Sequence, residues 1–144
     1  MKDLKNSHTM EYKKLLKFPA YISLLAANMD GHLDDVEKHS AIELTHIKTF
    51  SADSLLIEFF KDVEDSFEKN MISINSKLPI GKGEREIVIK HELLKLEKIM
   101  DLLDEKYVKV MHKSMKSFKE YVSQAHHNIL VDFIFPIPIN GLSY

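Results

Sequence analysis

The sequence predicts an all-α protein, a single compact bundle of about six helices followed by an extended apolar C-terminal tail. Three observations lead there. Residues Leu55, Phe59, Val63, Phe67, Met71, Ile74 and Leu78 recur at spacings of three and four, the period of one helix face. The chain of 144 residues holds only four glycines and four prolines, and they cluster where breaks are expected. No strand-like alternation occurs before residue 129.

The elements follow in order. Residues from about Leu4 to Asn28 read as one or two helices, with Pro19 marking either a kink or a fresh helix start. Asp34, with Glu37 three residues on, has capping-box spacing and opens a helix running to about Phe50. Ser51 caps the long amphipathic helix, which must stop at Leu78 because a residue before proline is pushed out of the helical region. Pro79 to Arg85, with Gly81 and Gly83, reads as a loop. Two helices follow, about Glu86 to Asp104 and Glu105 to Ala125. Leu96, Ile99 and Leu103 share a face of the first; Val108, Met111, Met115, Phe118 and Val122 share a face of the second. The bundle therefore occupies residues 1–128 and the tail residues 129–144. From Ile129 to Ile139 the tail is nearly all apolar, and its prolines forbid a helix. It either closes the core of its own bundle or docks on a second subunit or partner. Packing with one face and forming a homodimer with the other is the expectation.

Composition excludes several classes. A 44% hydrophobic and 29% charged chain is ordinary for a globular domain. A net charge of −2 argues neither for nucleic acid nor for an anionic membrane surface as the main partner, and no nucleic-acid partner is expected. Without cysteine there are no disulfides, zinc fingers or thiol nucleophiles. The polar N-terminus lacks a signal-peptide pattern, and no apolar run approaches the ~20 residues of a membrane span. A cytoplasmic protein is expected.

The segment Asn28-Met-Asp-Gly-His-Leu-Asp-Asp-Val-Glu37 carries the densest chemistry. Asp30-Gly31 is a turn dipeptide. Asp30, Asp34 and Glu37, with Asp35 beside them, offer the hard oxygens that Ca2+ or Mg2+ takes. Set with Asp30 at position 5 of an EF-hand loop, Gly31, Asp34 and Glu37 fall at positions 6, 9 and 12. Position 1 is then Ala26, so the first carboxylate is missing. The same residues also make a good helix cap with negative charge at a helix N-terminus. A second constellation lies on the following helix. Val36, Leu44, Ile47 and Phe50 form its apolar stripe, Glu43 falls within it, and His39 and His46 flank it. Glu43-x-x-His46 is the spacing of carboxylate-bridged di-metal bundles, with Glu92 a further core-facing candidate. A metal-dependent enzyme or oxygen-handling protein is the alternative function on that basis, but Glu92 is followed at plus three by Lys95, so only one such unit exists. His91, His112, His126 and His127 read as solvated residues on helix flanks or at a helix end. No nucleophile-and-base pair, Walker loop or Gly-x-Ser-x-Gly elbow is present.

Ala26-Ala27-x-Met29-Asp30-Gly31-x-Leu33-x-x-x-Glu37, opening a helix in a small helical domain, resembles the TerB-like family associated with tellurite resistance, as does Tyr121-Val-Ser-Gln-Ala125. The resemblance covers about Pro19 to Asn128. It implies an all-helical, non-enzymatic binding module with an acidic surface for divalent cations, acting in a stress-response or membrane-associated complex. Asp30, Asp34 and Glu37 would inherit the acidic-site role. The chain departs from the pattern in lacking a second Asp-Gly motif, in His126-His127-Asn128, and in its apolar tail.

Overall fold

Helix α3, Phe18–Asp30, is the element the others are built around. Every residue from Ile22 to Asn28 is buried, so this helix has no solvent face along that stretch. A helix apolar all round can be stable only in the middle of a bundle. The computed structural model, which describes residues 4–30, Ile47 and residues 54–126, packs α3 against each of the three long helices. These are α4 (Ile57–Lys77), α5 (Lys82–Met100) and α6 (Glu105–Ala125). Two short helices, α1 (Leu4–Ser7) and α2 (Thr9–Leu15), precede α3, and α2 lies on α5. The described residues form an all-α fold, with no strand among them.

Pro19 marks a fresh start. It is the second residue of α3, where its missing N–H has no intrahelical partner to lose. The N-terminal helices are tied down by the Tyr12 hydroxyl, which donates to Asp62 Oδ2 of α4 at 2.5 Å, and by Lys5, 3.5 Å from the same carboxylate. The stripe on α4 is as the spacing predicts, with Phe59, Val63, Phe67, Met71 and Ile74 buried. Leu55 departs from it and is exposed, because Ser54–Leu56 form a 3-10 turn whose tighter winding turns Leu56 inward instead. The helix ends at Leu78, which is extended before Pro79.

The expected loop from Pro79 to Arg85 is mostly helix. α5 begins at Lys82, so the helix start near Glu86 is corrected by one turn. Tertiary contacts override the glycines. The Arg85 guanidinium is buried, donating to the Pro79 carbonyl at 3.2 Å and to Asn75 Oδ1 at the end of α4. Those bonds hold the first turn of α5 against α4 at a cost in glycine propensity of only ~1 kcal/mol. α5 also ends earlier than Asp104. Its backbone turns out at Asp101, with Leu102 N–H donating to Ile99 O and Leu103 N–H to Met100 O. α6 spans the range read from the sequence, and its five predicted apolar residues are all buried.

The helix from Asp34 to Phe50 and the tail from residue 129 lie outside the described residues. Ile47 alone of that helix is described, and it is helical and buried. No helix among the described residues is long and apolar enough to cross a membrane.

Candidate functional site

Asp30 is the last residue of α3. The helix end that leads into it is fixed in place. Ala26, Ala27 and Asn28 are fully buried, and Asn28 Nδ2 donates to the Lys82 carbonyl in the first turn of α5 at 3.1 Å. Asn28 Oδ1 is buried with no hydrogen-bond partner among the described residues. Because α3 is helical through Asp30, the first five positions of an EF-hand loop would be wound into helix, and that loop geometry is not adopted. Asp34, Asp35, Glu37, His39, Glu43 and His46 lie outside the described residues. Glu92 does not face the core. Its side chain is about a third exposed and pairs with Lys95 Nζ at 3.3 Å. Among the described residues no three His, Asp or Glu side chains gather closely enough to hold a metal ion.

The structure shows a buried polar seam instead. His112 and Lys119 on α6 and His126 just past its end follow one another at seven-residue intervals and are all buried, Lys119 completely. They alternate with Met115, Phe118 and Val122 on the same core-facing side. The reading of His112 and His126 as solvated is therefore corrected. A periodicity counted only on apolar residues passes over polar ones that occupy core positions. From the end of α5, Asp101 Oδ1 accepts a hydrogen bond from His112 Nε2 at 3.0 Å.

Glu97, one turn before Asp101, completes the seam. Burial is the main force on its carboxyl, raising the pKa to about 7; the Asp101 charge adds to the rise and the Lys119 ammonium opposes it. Glu97 Oε2 is shut off from water with no hydrogen-bond partner among the described residues. His112 is pushed the other way. Burial lowers its pKa, the hydrogen bond and charge of Asp101 pull it up, and Lys119 lowers it further. A full Lys burial is rare unless the charge is compensated; the Lys119 charge acts favourably on the Glu97 carboxylate and unfavourably on a protonated His112. The seam can hold a proton near neutrality, and it reaches the surface at Asp101, whose side chain is 41% exposed.

An open concavity lies on another part of α5, where α2 and the start of α3 meet it. The cleft has a volume of about 410 Å3 and is lined by Lys13, Lys14, Lys17, Tyr21, Glu92, Lys95, Leu96 and Ile99. Lys13 and Lys14 belong to the last turn of α2, where cations suit the helix dipole. Leu96 and Ile99 give the cleft an apolar wall. The phenol of Tyr21 is pushed above its usual pKa, first by burial and then by the Glu92 charge, so it keeps its proton and can donate. This cleft was not legible in the sequence, because only the packing of α2 on α5 brings Lys95, Leu96 and Ile99 to Lys13, Lys14 and Lys17.

Comparison with family models, with curated proteins and with solved structures finds no match to this chain.

Proposed function

We propose that the chain is a non-enzymatic helical binding module whose acidic turn, Asp30 with Asp34 and Glu37, holds a divalent cation, Ca2+ or Mg2+. The observation that carries the reading is the pinned end of α3. Asn28 ties it to α5, so the turn departs from a fixed point, and a site held by rigid elements needs less ordering when it binds. Asn28 Oδ1 adds a buried hard oxygen two residues before Asp30, without a hydrogen-bond partner among the described residues. The resemblance of the turn to the TerB-like signature supports a role in a stress-response or membrane-associated complex.

Calorimetric titration with Ca2+, Mg2+ and Mn2+ is the test. Saturable heat that disappears in the Asp30→Asn, Glu37→Gln double variant is expected. Equal heat in the variant, or none at millimolar ion, leaves the turn as a helix cap. The apolar tail is the proposed contact for a second copy of the chain. Truncation after Asn128 should then lower the melting temperature and halve the mass seen by light scattering.

A further inference from the structure

The cleft between α2, α3 and α5 brings four lysines around one carboxylate in a chain whose net charge is −2. Such a concentration of like charge in a concavity focuses the field inward and raises the local concentration of anions. Lys95 is partly offset by Glu92 at 3.3 Å, which leaves Lys13, Lys14 and Lys17 as the cationic rim. These three come from the end of α2 and the turn that follows, on one short stretch of backbone braced against α5. Like charges so close repel one another, and a ligand carrying more than one negative charge would relieve that repulsion as it binds.

The chemistry of the lining narrows the ligand. Lysine ammoniums are compact point charges, without the planar fork with which arginine recognises a carboxylate, and they suit a tetrahedral anion approached from several sides. A phosphate monoester carries about −1.5 to −2 charges at neutral pH and three acceptor oxygens, enough to engage several ammoniums and a phenol together. The wall of Leu96 and Ile99 beside Tyr21 offers contact to an apolar or aromatic group on the ester. A volume near 410 Å3 lies towards the small end of the usual range for ligand pockets, roughly 300–1,000 Å3, and takes a compact molecule.

We infer that this cleft is a binding site for a compact organic phosphate monoester, its phosphate held by Lys13, Lys14, Lys17 and the Tyr21 hydroxyl and its organic group lying against Leu96 and Ile99. Glu92 serves as the selective element, since it holds Lys95 in place and repels a ligand whose negative charge extends across to the α5 wall. The inference does not rest on the acidic turn, and its ligand is of opposite charge to the cation proposed there.

Phenyl phosphate is a suitable probe, titrated into the full-length protein and followed by calorimetry and by the NMR signals of Tyr21 and Ile99. Saturable binding is expected, tighter than that of inorganic phosphate and of benzoate, and weakening as salt is raised. Lys14→Glu with Lys17→Glu should weaken it about tenfold or more, whereas Lys61→Glu with Lys109→Glu, on α4 and α6, should leave it within about twofold. Circular dichroism and melting of each variant separate a lost site from a lost fold, and Tyr21→Phe provides a milder second variant expected to weaken binding. Equal weakening by both charge-reversal pairs would overturn the proposal, as would equal affinity for benzoate and phenyl phosphate, or no saturation at millimolar ligand. Capture by vesicles of phosphatidic acid in phosphatidylcholine, with no binding of phenyl phosphate, would overturn it in favour of a membrane surface.

Discussion

Helix α5 takes part in two charged regions that behave in opposite ways. Through Glu97 and Asp101 it contributes to the seam with His112 and Lys119; through Glu92 and Lys95 it walls the lysine cleft. In the seam, Lys119 and His112 are removed from water and Glu97 partly so, with Asp101 at the exposed edge, so the inner groups depend on their neighbours. In the cleft the ammoniums are solvated, and apart from the Glu92–Lys95 pair their mutual repulsion is relieved by counterions or a ligand. Buried charge is committed to the structure. Exposed like charge in a concavity is available for binding.

The largest test of that contrast is Lys119→Ala. Removing the cation takes away the charge that favours the Glu97 carboxylate, and truncating so completely buried a stem should cost about 2–5 kcal/mol, as other large-to-alanine core changes do. Urea denaturation should show that loss as a lower midpoint. A loss under ~1 kcal/mol would mean that the seam is hydrated and the contrast false.

Arg85→Ala comes next. The buried guanidinium joins Pro79 and Asn75 to the first turn of α5, and losing charged hydrogen bonds of this kind costs about 1.5–3 kcal/mol. Hydrogen exchange should show the amides of residues 82–85 opening first, ahead of those in the middle of α5. Uniform loss of protection along α5 would instead show that Arg85 contributes to the whole bundle.

Glu97→Gln sharpens the comparison through pH. The unfolded carboxyl loses its proton near 4.5, whereas the folded one keeps it to about 7. The unfolded state therefore binds fewer protons in that window, and this group makes stability fall as pH rises through it. His112 acts with the opposite sign. Its folded pKa lies below the ordinary 6.5, so the unfolded state takes up a proton first and stability is lost as pH falls below 6.5. Glu97→Gln removes the first slope and leaves the second. Between pH 4.5 and 7 the stability of the variant should rise, relative to the wild type, as pH increases. Parallel curves would show that Glu97 is solvated.

The smallest expected effect is on the cleft side. Lys17→Ala removes an exposed cation from a turn and should change stability by no more than about 0.5 kcal/mol. A clear gain in thermal stability at low salt, vanishing at high salt, would measure the repulsion among the rim lysines directly.

Much of the architecture was legible in the residues. The period of Phe59, Val63, Phe67 and Met71 and the proline after Leu78 specify α4, and Glu105 to Ala125 reads as α6 without help from any other element. The register of Glu92 was misleading, since alignment with Leu96, Ile99 and Leu103 suggested the core while the side chain turns to Lys95 at the cleft edge. A helix face has a wide border, and residues there go inward or outward according to what packs against them. The polar seam could have been glimpsed in the seven-residue recurrence of His112, Lys119 and His126 along an apolar face.

By itself the sequence determined which segments wind into helices and where several of them stop, because periodicity, proline and end residues act over a few positions along the chain. It also determined that an acidic Asp-Gly segment follows the buried helix α3. Only the tertiary structure decided that Gly81 and Gly83 flank a helix start, that Lys119 is an interior residue, and that Lys13, Lys17 and Lys95 share a cleft. Each of those depends on the free energy of removing a group from water or bringing charges together. That free energy is set by neighbours distant in sequence, and no local pattern records it.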